Sequence, residues 1–432
     1  MRRFDESDAA YFFGRDRLTA ALLEKLTDHL SVPHPLAVLG ATATGKSSLL
    51  RAGLLPALRR GTLSVPGFDS CLPIIMTPGE HPMWALSLSL TQIANLSPEE
   101  ISAGLAADPN KIADIVARAC LHQESRATRA DTCAVLIVDQ FEELFTLCSD
   151  EGERRLFVQT LSAAASSRIE GRSEIPTPVI FGLRTDFFGH CASYPELASA
   201  LTERPLLVDS MNDDELRAVI EGPAALTGIA FQDGLTDLLL SDLAAGEPAG
   251  VESGCALLLL AYVLREVWDH RNERLLTITT YAATGGIWHA IAQHAEQVYD
   301  DLGNSIGASA QHATRLLFSH LLRAGNGTGD VRHRISFVEL VRDRSAEEGR
   351  AIVAARDAFA DPRTGFITIT EECVEITHES LGWAWPRLRH WIDEDRRSSA
   401  HDRFAAGAET SNPQDSEAPK TAQISSAGDA SS

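Results

Sequence analysis

Two hydrophobic periods alternate along the first half of the chain. Residues 16–30, "DRLTAALLEKLTDHL", place Leu18, Leu22, Leu26 and Leu30 at helical spacing on one face. "PHPLAVLG" (33–40) is a short unbroken apolar run and reads as a buried strand. The helix after it turns Leu49, Leu50 and Leu54 inward and is expected to kink or end near Pro56. Further apolar runs at "LPIIM" (72–76), "CAVLIVD" (133–139), "PVIFGLR" (178–184) and "RPLLVD" (204–209) read as strands. Helical segments such as "NKIADIVARACLHQ" (110–123) and "ERRLFVQTLSAAASS" (153–167) separate them. Strands that are apolar throughout, alternating with helices, predict an α/β fold with a parallel sheet covered on both faces.

From residue 211 the pattern turns helical. "NDDELRAVIEG" opens with acidic capping residues, and Gly-Pro follows it. "DGLTDLLLSDL", "CALLLLAYVLREVWDHR" and "WHAIAQHAEQVYDDL" continue as helices to about residue 305. More helices occupy 309–323 and 335–360, then "GFITITEECVEIT" alternates as two short strands around an acidic turn, and "WAWPRLRHWIDEDRR" closes as a helix. Helices, a two-stranded wing and a helix outline a winged-helix domain. The pattern therefore divides into a core at 1–210, a helical domain at 211–305, a winged helix at 306–396 and a tail at 397–432. The tail is rich in Ser, Ala and Pro, with almost no large apolar side chain, and is expected to stay unfolded.

Composition narrows the function classes. A formal charge of −22 over 432 residues argues against a general affinity for nucleic acid or an anionic membrane. The longest apolar run, "CALLLLAYVL", is about half a bilayer span, and the acidic N-terminus is no secretory signal. The seven cysteines are never spaced as C-x-x-C, which suits reduced thiols in a cytoplasmic protein. Only four of the 38 basic residues are lysines: Lys25, Lys46, Lys111 and Lys420.

One of those four sits in "VLGATATGKSSLLRAG". Gly40-x-x-x-x-Gly45-Lys46-Ser47, between a strand and a helix, fits a phosphate-binding loop. Backbone N–H groups across Gly40, Ala41, Thr42, Ala43, Thr44, Gly45 and on to Ser48 would converge on phosphate oxygens. Lys46 would reach the β- and γ-phosphates, and Ser47 would ligate Mg²⁺. A compact ammonium suits that cradle where a planar guanidinium does not. In "AVLIVDQFEELF" the strand delivers Asp139 to its exposed end as a second Mg²⁺ carboxylate. Glu142 and Glu143 follow within reach of an attacking water; either could be the general base, and Glu143 is favoured. In "VIFGLRTDFFG" a strand ends at Arg184 and Asp186, and it would set a positive charge beside the γ-phosphate if it lies between the other two strands. No lysine is followed two residues later by aspartate, so the guanine-reading motif is missing and ATP is favoured.

The ordered blocks "FFGRDRL", "GATATGKSSLLRAGLLPAL", "LIVDQFEELF", "GLRTDFFGHCASYPELASAL", "IEGPA", "YAATGGIWHAIAQHAE" and "ITHESLGWAWPRLRHWI" resemble the STAND-class NTPases. They are most similar to the bacterial "novel STAND" subgroup often joined to WD-repeat propellers, over roughly residues 4–396. The resemblance implies a signal-transducing ATPase: ADP holds it closed, ATP lets it open and self-associate, and slow hydrolysis resets it. It also implies that Asp139, Glu142 and Glu143 match the acidic pattern of the related NACHT group and that Arg184 matches the sensor arginine. Gly14 and Arg15 would lie near adenine, and His378 would meet the ADP β-phosphate. Relatives carry a Leu-Pro-Leu-Leu stretch against adenine where this chain reads "SGCALLLL", with Ala256 at about that place. The effector and sensor propeller typical of the family are expected either from separate partner proteins or to be lost in a shortened gene, and neither nucleic acid nor membrane is expected among the partners.

Two other readings stay open. A continuously cycling AAA+-like ATPase would need an arginine reaching a neighbour's γ-phosphate, for which Arg204 is placed. A winged-helix DNA-binding regulator would need a basic module, whereas residues 309–396 hold 12 arginines against 14 acidic residues.

Overall fold

The computed structural model describes residues 3–30, 32, 34–63, 68, 71–127, 133–166, 177–245, 256–324, 330–332, 335–342, 344–361, 364–370, 373–377 and 381–409. It divides into two compact units, Met1–His294 and Ala295–Ser432.

The first unit is built on five parallel strands, β1 (Leu36–Gly40), β2 (Leu72–Met76), β3 (Ala134–Val138), β4 (Val179–Arg184) and β5 (Leu206–Leu207). Their order across the sheet is β2-β3-β4-β1-β5. All five fall on the apolar runs of the sequence. Because side chains alternate along a strand, the sheet feeds two cores. Ala37, Leu39, Ile74, Leu136, Val138 and Phe181 pack on one side with Leu86, Leu90, Ile112 and Phe157. Leu36, Val38, Val135, Ile137 and Ile180 pack on the other with Leu22, Leu26, Leu50 and Leu54. Burial on both faces is why these strands carry no alternation of apolar with polar residues.

Two expected helix ends are displaced. After Lys46–Ser48 the helix widens to π-type turns at Leu49–Leu54 and continues as Leu55–Arg59, through Pro56. The wide turns come just before the residue that lacks an N–H and absorb the break in hydrogen-bond register that it causes. The helix Asp213–Thr227 likewise runs through Gly222-Pro223. Gly222 there is a notch, since a Cβ on it would lie 2.6–2.8 Å from the Phe13 ring. This contact locks the N-terminal "FFGR" segment onto the first helix after the sheet. The helices Leu235–Ala244, Ala256–Asp269 and Ile278–Ala283 follow. Among the described residues no helix is long and apolar enough to cross a membrane.

The second unit holds the helices Ala308–Leu321, Phe337–Val341, Ala346–Ala360, Leu381–Ala384 and Pro386–Glu409. With them goes a three-stranded antiparallel sheet in the order Ile335–Ser336, Cys373–Ile376, Ile367–Thr370. The alternating pair pairs as read, Ile367 opposite Ile376 and Ile369 opposite Val374. Pro386–Glu409 extends past 396, where an unfolded tail was expected to begin; the alanines of "SSAHDRFAAGAE" suit a helix. Residues 410–432 of that tail lie outside the described residues.

Trp385 is fully buried in this unit, edge-on to Phe318 at 5.5 Å and beside Phe359 at 5.6 Å. Its indole N–H donates to Glu296 Oε1 (3.0 Å), which Arg387 also grips. Trp385 is thus a core residue of this unit. Trp385→Ala should cost about 3–5 kcal/mol, to be read as a lowered denaturant midpoint of the second unit.

Candidate nucleotide site

Gly40 ends β1 where no side chain fits. A Cβ there would lie 2.8 Å from Thr44 Oγ1 and 2.9 Å from the Val208 carbonyl oxygen. Ala43 (φ 62°) and Gly45 (φ 91°) are both left-handed, and between them the loop curls back over the start of the helix. Turned peptides of this kind bring successive N–H groups to one side as an anion-binding concavity. Thr44 Oγ1 donates to the Ala41 carbonyl (2.9 Å) and closes the loop from within. Lys46 Nζ donates to the carbonyls of Gly40 (2.8 Å) and Ala41 (2.7 Å), folded into its own loop. Burial lowers the Lys46 pKa, an effect that Glu142, Asp139 and Asp186 oppose and Arg184 reinforces. Gly40→Ala should distort this curl, costing about 1–3 kcal/mol and weakening nucleotide binding, measured by calorimetric titration with ADP.

Asp139, at the end of β3, is almost completely buried and faces Ser47. The Ser47 hydroxyl donates to its Oδ1 at 2.7 Å, and the Gln140 N–H donates to the same oxygen at 3.1 Å. A carboxylate and a hydroxyl side by side are hard oxygen donors, which suit Mg²⁺ and fit poorly with softer metals. Gln140 takes a left-handed turn (φ 52°), and the Phe141 N–H then donates to the Gly182 carbonyl on β4 (2.8 Å). With Phe141 and Leu144 buried, the two glutamates part company. Glu143 accepts the Gly79 N–H at 3.2 Å and ties this turn to the loop after β2. Glu142 stays in the cleft: its Oε2 accepts the Arg184 N–H at 3.3 Å, and Lys46 and Arg184 act on its charge. Desolvation raises the Glu142 pKa, and those two cations pull it back down. Geometry thus favours Glu142 over the expected Glu143 as the acid facing the loop.

β4 does lie between β1 and β3, with Gly40 opposite Arg184 in register. The Arg184 side chain pairs with Asp186 (2.8 and 3.1 Å) and lies over the Phe187 ring. One sheet edge therefore gathers Lys46, Ser47, Asp139, Glu142 and Arg184. This neighbourhood also keeps the Cys191 thiol protonated, its pKa pushed up to about 12 chiefly by burial.

Gly14 and Arg15 sit at the opposite flank of the loop. Gly14 is left-handed (φ 75°), and a Cβ on it would lie 2.5 Å from the Glu215 carbonyl oxygen. Arg15, buried, donates from Nη2 to the carbonyls of Thr44 (3.0 Å) and Asp209 (2.9 Å). It clasps the loop to the segment leading into Asp213–Thr227. Ser48 Oγ accepts the Phe4 N–H (3.2 Å). His378 lies outside the described residues.

Sequence reasoning missed Arg51 and Arg3, both within 3.5 Å of Asp139 Oδ2. Arg51 could have been found, because it stands four residues after Ser47 on the same helical face. Arg3 carries no such signal.

The profile of the family described as "Novel STAND NTPase 1" matches residues 1–415. The chain belongs to that family. This novel STAND NTPase is therefore a nucleotide-binding P-loop protein. No curated protein matches its sequence. Among solved structures it is similar to the ORC1 protein of Aeropyrum pernix in complex with DNA (16% identity, TM-score 0.44, 90% of this chain and 94% of that one). It is also similar to Drosophila ORC bound to DNA (14%, 0.40, 86% and 86%). A third similar structure is the Aeropyrum pernix ORC2 protein in ADPNP-ADP complexes (11%, 0.48, 90% and 95%). The first two overturn the expectation that nucleic acid has no place among the partners of such a protein. The physical reason is that −22 is a sum over the whole chain, while binding depends on the local field.

Proposed function

We propose that this novel STAND NTPase is an ATP-operated switch that hydrolyses its nucleotide slowly. The observation that carries the reading is the strand order β3-β4-β1, which gathers Lys46, Ser47, Asp139, Glu142 and Arg184 at one sheet edge. The loop and Lys46 hold the phosphates. Ser47 and Asp139 would hold Mg²⁺, which supplies positive charge to the phosphate oxygens when bound. Glu142, sunk among cations, takes the proton of the attacking water, and Glu143 braces the turn that presents it. Arg184 sets positive charge at the same edge, held off by Asp186 until an anion competes for it.

The switch character rests on Arg15 and the lid. Arg15 joins the Thr44 carbonyl to the residues before Asp213–Thr227, so a change of loop shape is felt at the first lid helix. A ligand shifts such an equilibrium only through its different affinity for the two states. ADP favours the closed form, ATP the open and self-associating one. The sheet and helices of 306–396 then serve as a winged-helix domain, with 211–305 as the lid.

The deciding experiment identifies the nucleotide carried through purification, then measures mass in solution with ADP and with ATP. Retained ADP, a monomer with ADP and a larger species with ATP are expected. Absence of bound nucleotide, or one mass under both conditions, would overturn the switch. A fast steady turnover in a stable ring would favour the continuously cycling ATPase.

A further inference from the structure

We propose that Arg51 positions the metal-binding carboxylate and that Arg3 is its displaceable counter-ion, so that the N-terminal segment reports metal occupancy. The inference rests on the reading of Asp139 and Ser47 as the Mg²⁺ pair and goes beyond it to two arginines outside the loop.

Asp139 has two oxygens and four neighbours. Oδ1 takes the Ser47 hydroxyl and the Gln140 N–H. Oδ2 takes Arg51 Nε at 3.3 Å and Arg3 Nη1 at 3.5 Å. Ser47 and Arg51 rise from one helical face, so together they fix the plane of the carboxylate. Their settings differ. The Arg51 side chain is 14% exposed and that of Arg3 is 42% exposed. A buried group in a short contact is kept in place by packing, whereas the exposed one is free to yield.

Arg3 is the end of a strap laid along the loop helix. The Phe4 N–H donates to Ser48 Oγ, Asp5 pairs with Arg51 Nη1 at 3.6 Å, and Glu6 pairs with Arg59 at 2.8 Å. Asp5 also caps the turn Glu6–Tyr11, reciprocally with Asp8. Phe12 then packs so near Gly53 that a Cβ there would meet its ring at 3.1 Å. The path from the metal carboxylate to the strap is one continuous chain of charges: Asp139, Arg51, Asp5, Arg3. A divalent cation on Asp139 and Ser47 repels both guanidiniums, and the exposed one leaves. Release of Arg3 removes the strap's innermost anchor.

The test uses the full chain with ADP and Mn²⁺ as the paramagnetic probe, its binding followed by electron paramagnetic resonance. Arg3→Gln should bind Mn²⁺ about two- to fivefold tighter, the scale of an exposed ion pair lost. Arg51→Gln should bind it about 10–100-fold more weakly, the scale of an outer-shell partner lost. Charge alone would predict tighter binding for both, so the opposite sign at Arg51 separates positioning from repulsion. Arg51→Lys should recover part of the loss. Hydrogen exchange of amides 4–12 in the parent should speed up on adding Mn²⁺ to the ADP complex. Equal Mn²⁺ affinity for parent, Arg3→Gln and Arg51→Gln would overturn the inference, as would unchanged exchange at 4–12. If Asp139→Asn itself binds Mn²⁺ like the parent, the metal reading fails first. Urea unfolding of Arg51→Gln and Arg51→Lys with the parent's cooperative transition shows that both variants are folded.

Discussion

Lys46→Ala is expected to weaken ATP and ADP binding by about two to four orders of magnitude, equivalent to about 3–5 kcal/mol for removing one partner of a buried charged pair. The loop's own geometry makes Lys46 hard to replace. Its ammonium reaches back to the Gly40 and Ala41 carbonyls, so it stands at the mouth of the cradle before any ligand arrives. Burial lowers its pKa, which means the folded chain disfavours its charged form relative to the unfolded one. Stability from this group is therefore fully present only above the ordinary value of 10.5 and falls as pH drops toward the folded pKa. At neutral pH the fold keeps a desolvated ammonium at this position, and a phosphate beside it favours the charged form. The variant should accordingly lose binding while keeping most of its stability. Calorimetric titration with ADP, beside a urea unfolding curve, checks both halves. An unchanged affinity would remove the nucleotide site altogether.

Much of that site was legible because its residues are forced by local chemistry. Gly40 has no room for a side chain, Gly45 takes a left-handed turn, and Asp139 ends a strand buried on both faces. The five strands were equally plain, since burial on both sides leaves unbroken apolar runs. What the sequence left open was three-dimensional. Two glutamates in succession look alike until the buried Phe141 and Leu144 fix the turn and send Glu143 to the Gly79 N–H. Strand order is set by long-range pairing, so the place of Arg184 could be given only as a condition. The helices Pro82–Ala94 and Pro98–Ala107 went unread although each opens with proline in its first turn. The second also has a capping box, Ser97 with Glu100, which is a local signal that can be found. Pro56 and Gly222-Pro223 misled in the other direction. Helix breakers are weak stops where π-type turns or a packing ring accommodate them.

Glu142→Gln should lower the hydrolysis rate by about 10²–10⁴-fold, the usual worth of a positioned general base, while leaving ATP bound. Glu143→Gln is the contrast. Its carboxylate accepts the Gly79 N–H, which an amide oxygen can also accept, so its rate should change far less. Acid–base linkage gives a second signature. Desolvation raises the Glu142 pKa above its ordinary value of 4.5, so the folded chain binds this proton more tightly than the unfolded chain. Stability then declines as pH rises from 4.5 through the raised folded value, because in that window the unfolded state binds fewer protons. A neutral glutamine removes this decline, so the variant should match or exceed the parent's stability at neutral pH. The parent's hydrolysis should fall away on the acid side as Glu142 takes up its proton, at a pH above that of an exposed carboxylate. Single-turnover hydrolysis measured across pH, in parent and both variants, tests the assignment. A fast Glu142→Gln with a slow Glu143→Gln would exchange the two roles and leave Glu142 as a structural acid.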